Sequence, residues 1–199
     1  MSQTATGDRQ QGTMIVVVGP SGAGKDSLID FARERLAGSA DIGFVRRFIT
    51  RDADAGSEDH HAVTMAQFED MRRAGRFSVH WGAHDLHYGI PADTRDQLAH
   101  GRSLIANGSR AAIADFLRAY PKLVVITVTA DPEIIAERLK ARGREDDHSI
   151  SRRLARSQRE WTIDCHHLVI DNSGKLETAG AEFVKAILAT VKHDASQTA

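Results

Sequence analysis

Residues 14–28 read MIVVVGPSGAGKDSL, and this stretch decides the fold. An apolar run from Met14 to Val18 stops at Gly19, a loop of small residues follows, and Lys25 opens an amphipathic segment. Gly19, four intervening residues, Gly24 and Lys25 have the spacing of a phosphate-binding loop between a buried strand and a helix. Glycines at positions 22 and 24 let successive N–H groups turn inward toward one anion. The helix N-terminus adds partial positive charge and Lys25 a full one. Gly19, Pro20, Ser21, Gly22, Ala23, Gly24, Lys25, Asp26 and Ser27 are therefore the candidate ATP-binding loop. A plain glycine-rich turn would need neither the lysine nor the strand–loop–helix order. One element departs: Asp26 occupies the place where the pattern has Ser or Thr.

Outward from the loop, Leu28, Ile29, Ala32 and Leu36 mark a helix face. FVRRFIT (44–50) reads as a strand closed by Arg51, and a polar, acidic loop follows. Thr64 with Gln67 is a capping-box pattern. Phe77 to Trp81 reads as a short strand, and Pro91 opens a helix to about His100. Ser103 to Ala106, Leu123 to Val128 and Leu168 to Ile170 are further strands, each followed by a helix. Asp131–Pro132 is a helix start, and residues 149–160 form an arginine-studded helical segment. Alternating strands and helices predict an α/β fold with a mainly parallel sheet covered on both faces.

The 199 residues suit one domain at 13–192, with 1–12 and 193–199 as loose polar tails. A net charge of −1 gives no basic field for nucleic acid or an anionic membrane, and no run reaches bilayer length. The lone Cys165 fits a reducing cytoplasm. Histidines are plentiful but lack a spaced zinc-ligand pattern, although His60 and His61 follow the Arg51 loop closely enough to line a pocket.

Arginines narrow the chemistry. Kinases for small phosphorylated acceptors neutralise charge on donor and acceptor alike, often with arginines on inserts that close over the site. Arg51 ends a strand, and Arg138, Arg142 and Arg153 flank a polar, lid-like segment. Arg156 and Arg159 read as a solvated face.

From Met14 to about Leu188 the chain resembles the guanylate-kinase-like branch of P-loop kinases. GPSGAGK matches that family's phosphate loop, Thr50–Arg51 the strand end that holds the acceptor phosphate, and Tyr88 its phosphate-binding tyrosine. Arg138 to Gly143, with Arg153–Leu154, matches the lid and its catalytic arginines, and Asn172 falls at the position tied to the adenine end of ATP. The resemblance implies an acceptor-binding region near 51–100, a lid near 142–153, ATP as donor, and Mg²⁺.

Three guanylate kinase positions differ. The second acceptor arginine is Asp54, a downstream acceptor tyrosine is Val63, and the guanine-reading glutamate is Val79. In their place stand ITRDADAGSEDHH, ANGSR and RGREDD, which are similar to runs of the ribose 1,5-bisphosphate phosphokinases of bacterial phosphonate breakdown. That resemblance implies phosphate transfer from ATP to ribose 1,5-bisphosphate, giving phosphoribosyl diphosphate. Arg51, Tyr88, Asn107 and Arg110 would hold the acceptor, Lys25, Arg138, Arg142 and Arg153 would act on the transferring group, and Asp26 would ligate Mg²⁺. A guanylate or other nucleotide kinase is the alternative reading. A non-catalytic interaction module fits less well, because the loop glycines and Lys25 are intact. The expected partners are small molecules, and a homodimer is left open.

Overall fold

The structure is a computed structural model that describes residues 11–52, 58–83, 85–141 and 165–196. Five strands form an all-parallel sheet: β1 (Met14–Val18), β2 (Ile42–Phe44), β7 (Ser103–Asn107), β8 (Leu123–Thr129) and β9 (His166–Asp171), in the order β2-β7-β1-β8-β9. Central β1 is buried on both sides, which explains its unbroken apolar run. Ile15 and Val17 pack with Leu28, Ile29 and Ala32 of α1 (Lys25–Arg35) and with Phe183 and Ile187 of the closing helix Leu176–Ser196. Met14, Val16 and Val18 face the opposite core, with Leu98 of α3 (Thr94–Ala99) and Phe116 of α4 (Ile113–Ala119). Both faces are thus covered, as alternation of strands and helices predicts. α5 (Pro132–Ala141) follows β8, and among the described residues no helix is long and apolar enough to cross a membrane.

A second, four-stranded sheet is inserted between β2 and β7. It comprises β3 (Phe48–Ile49), β4 (His61–Ala62), β5 (Phe77–Ala83) and β6 (Leu86–Pro91), ordered β4-β3-β6-β5. One of its faces stacks Phe48 on His61 and Phe68 on Phe77, Phe68 coming from α2 (Met65–Arg73). The Thr64–Gln67 capping box is formed in both directions, at 2.8 and 3.2 Å, so the N-terminus of α2 lies where its sequence signature puts it.

Three boundaries differ from the sequence reading. FVRRFIT is two strands rather than one. Phe44 ends its pairing beside Ile105 in the parallel sheet, whereas Phe48 and Ile49 pair with β6 in the second sheet. The two arginines between them explain the break, because each takes a carboxylate from the following loop: Arg46 takes Asp59 and Arg47 takes Glu58. Pro91 does not open a helix. It still pairs with Phe77, its carbonyl accepts from Thr94 Oγ1 at 2.7 Å, and α3 starts only at Thr94. The tails are also shorter than expected. Gly12 N donates to Leu98 O at 2.8 Å, and the last helix, α6 (Leu176–Ser196), runs into the supposed C-terminal tail. The arginine-studded segment at 149–160 lies outside the described residues.

Candidate active site

The loop from Gly19 to Gly24 leaves the carboxyl end of β1, the edge of a parallel sheet where ligands bind. Gly24 is the N-cap of α1 in the left-handed region, with φ of 88°, and a Cβ there would collide with Asn172 Nδ2. That close approach is part of the loop's support. Asn172, only 2% exposed, donates from Nδ2 to Ala23 O at 2.8 Å. Arg138 reaches the same region from α5, donating to Asn172 O at 2.9 Å and to Ala23 O at 3.5 Å. These two residues therefore hold the loop backbone from behind, and the buried Asn172 Oδ1 has no hydrogen-bond partner among the described residues.

Lys25 Nζ donates to Gly19 O and Pro20 O, each at 3.0 Å, so its charge sits inside the curl of the loop. Burial pulls its pKa from the ordinary 10.5 to about 8. Asp26 and Glu58 pull it back up, while Arg47 and Arg110 push it further down. Asp26 Oδ1 accepts from Asn107 Nδ2 at 2.7 Å, which ties the start of α1 to the carboxyl end of β7.

Opposite the loop stands the second sheet. Tyr88 pairs across the strands with Ile49 and also with Trp81, whose ring it stacks on at 5.3 Å. Ile49 pairs opposite Tyr88 and Arg47 lies beside the Tyr88 ring, so both are on the face that Tyr88 and Trp81 share. Burial raises the Tyr88 pKa, and the charges of Arg47 and Arg51 oppose the rise. Arg51 carries a buried Nε with no hydrogen-bond partner among the described residues, and its Nη2 lies 3.4 Å from His60 Nδ1. His60 is itself buried, with Nδ1 at 2.8 Å from Glu58 O, so the segment after the acidic loop is laid back along β3. Burial lowers the pKa of Arg110, which follows β7.

Asn107 is thus bonded to Asp26 next to Lys25, the Arg110 charge acts on Lys25 and the Arg51 charge on Tyr88, while Asn172 and Arg138 stand behind the loop. Arg142 and Arg153 lie outside the described residues. Sequence reading missed Arg47 and Glu58. Arg47 is 5% exposed, lies 4.9 Å above the Tyr88 ring, and engages Glu58 through two N–H groups. A signal was present: with period two, Arg47 shares a face with Arg51, whereas Arg46 does not.

Residues 15–161 match the family model described as an AAA domain. The chain is 47% identical over 175 residues to ribose 1,5-bisphosphate phosphokinase PhnN of Rhizobium etli, covering 88% of this chain and 89% of that protein. It is also 47% identical to the Agrobacterium fabrum protein of the same name, covering 87% and 95%. Among solved structures, guanylate kinase from Anaplasma phagocytophilum superposes with a TM-score of 0.65 at 18% identity, covering 91% of this chain and 87% of that one, which establishes the shared fold. With that identity sustained over nearly the whole of both relatives, the chain belongs to the ribose 1,5-bisphosphate phosphokinase family of P-loop kinases.

Proposed function

We propose that this kinase transfers the γ-phosphoryl group of ATP to ribose 1,5-bisphosphate, giving 5-phosphoribosyl 1-diphosphate and ADP. The observation that carries this reading is the set of cations around the phosphate loop: the Arg47 and Arg110 charges act on Lys25 and the Arg51 charge on Tyr88, while the position that reads guanine in guanylate kinases holds Val79, buried and apolar. A sugar with two phosphates offers charge at both ends and little apolar surface, which suits these groups.

An oxygen of the C1 phosphate attacks the γ-phosphorus, and the bond from that phosphorus to the bridging oxygen breaks with its electron pair leaving on ADP. The acceptor oxygen is already anionic, so no general base is needed and catalysis reduces to positioning and charge neutralisation. Lys25 moves from the loop carbonyls to the phosphates it is close to. Arg51, Tyr88, Asn107 and Arg110 hold the acceptor. Arg138 steadies the loop; Arg142 and Arg153, which the resemblance ties to the transferring group, lie outside the described residues.

The residues present also fit Mg²⁺, a hard cation that binds through one or two carboxylates plus substrate phosphates. Asp26 would hold it, steadied by Asn107, and the ion would supply charge neutralisation on the donor phosphates. Asp26→Asn should raise the Mg²⁺ concentration for half-maximal turnover about tenfold, with little change in melting temperature. An unchanged midpoint with a lower melting temperature would leave Asp26 as a helix N-terminal residue only.

The activity is tested by a coupled assay for phosphoribosyl diphosphate, with ATP and Mg²⁺ supplied. Stoichiometric ADP and phosphoribosyl diphosphate are expected from ribose 1,5-bisphosphate, and absence of the diphosphate product would overturn the reading.

A further inference from the structure

The Arg47–Glu58 pair has no role in the chemistry above, and its setting is costly. Arg47 and Glu58 side chains are 6% and 15% exposed, so both charges are largely removed from water. A buried ion pair is often no more stabilising than apolar residues of similar volume, so its presence calls for another use. Glu58 occupies one edge of the guanidinium: Nε donates to Oε1 at 2.7 Å and Nη2 to Oε2. The guanidinium lies beside the stacked Tyr88–Trp81 pair, with its carbon 4.9 Å from the Tyr88 ring centre and 5.7 Å from that of Trp81. Nη1 donates to nothing among the described residues, and it is the edge of the fork that Glu58 leaves open.

Three relations place that edge at the acceptor site. Arg47 and Arg51 stand two residues before and after Ile49, Tyr88 pairs directly opposite Ile49, and Arg47 lies beside the Tyr88 ring. The charges of both arginines act on the Tyr88 hydroxyl. The charges of Arg47 and Glu58 also reach Lys25 in the phosphate loop. A planar fork fixed on one edge by Glu58 and packed beside a stacked aromatic pair has little rotamer entropy left to lose when its other edge binds an anion.

We propose that Arg47 is an acceptor-binding residue that takes the second phosphate of the bisphosphate, and that Glu58 holds it in place for this. The inference rests on the bisphosphate being the acceptor. It gives Arg51 and Arg47 one phosphate each, and it makes Glu58 a positioning residue rather than a ligand. It also accounts for a carboxylate close to an anionic substrate, since Glu58 meets only the far edge of a cation.

The test compares ligands with two phosphates and one, by calorimetric titration with a non-hydrolysable ATP analogue present, so that no turnover is required. Arg47→Met combined with Glu58→Gln removes the pair without leaving a buried charge. Ribose 1,5-bisphosphate should bind this variant about 30-fold more weakly, while ribose 5-phosphate and the ATP analogue stay within about threefold. Arg47→Lys, which keeps the charge beside Glu58 but loses the fork, should show the same selective loss and covers the case in which the double variant does not fold. Equal losses on both sugars, or retained bisphosphate affinity, would make the pair structural and overturn the inference. Failure of the wild-type protein to form phosphoribosyl diphosphate would instead strike the reaction, and the titration separates the two outcomes.

Discussion

Replacing Lys25 by alanine should lower kcat by about three orders of magnitude while leaving the melting temperature near that of the parent protein. The ammonium contributes little to packing, because its contacts are two loop carbonyls, Gly19 O and Pro20 O, at 3.0 Å each. Burial already works against its charge, and the Arg47 and Arg110 charges add to that. The cation is thus held less firmly than in an exposed lysine until an anion arrives, and the transferring phosphoryl group supplies the largest one. A pH profile checks the same point. With the Lys25 pKa at about 8, the free enzyme loses the cation as pH rises through that value. The wild-type kcat/KM for ATP should therefore fall above about pH 8, approaching tenfold per unit. In Lys25→Arg the charge persists, and this limb should flatten. Near-normal turnover in Lys25→Ala would remove the loop from the chemistry altogether.

What was legible in the sequence follows from how local each signal is. The phosphate loop could be read because one strand end, its glycines and Lys25 are contiguous, and each has a distinct backbone or charge requirement. The Thr64–Gln67 cap was legible for the same reason, since both partners lie within one helical turn. FVRRFIT misled because periodicity reports that a segment is extended but not which sheet it joins. Its pairing is settled by Ile105 at one end and Tyr88 and Gly89 at the other, far away in sequence. Arg47 escaped notice because its importance comes from Glu58, Tyr88 and Trp81, which three separate elements deliver. Asn172 was picked out by resemblance to an ATP position, whereas its place against Ala23 O depends on β9 ending behind the loop, which no local pattern reveals.

Ribose 1,5-bisphosphate should be preferred over GMP by at least about three orders of magnitude in kcat/KM. Guanine carries N–H donors that must lose water to enter an acceptor cleft, and a site discriminates strongly when such groups find no partner there. Here the place of the guanine-reading carboxylate is taken by Val79, which packs against Trp81, Ile90 and Phe116 in the core between the two sheets. Each unpaired donor costs about 1–3 kcal/mol, so two of them account for roughly a thousandfold. The phosphate side adds to this, because GMP brings one phosphate to Arg51, Arg110 and Tyr88, the groups proposed to hold the acceptor. Repulsion among those cations is relieved less by a monophosphate than by a bisphosphate. Saturation kinetics with both acceptors, at fixed ATP and Mg²⁺, measure the ratio. The loss on GMP should fall in kcat as well as KM, since a misplaced base also misaligns the attacking oxygen. Equal kcat/KM on the two acceptors would mean that Val79 excludes nothing, and would return the enzyme to the general nucleotide kinases.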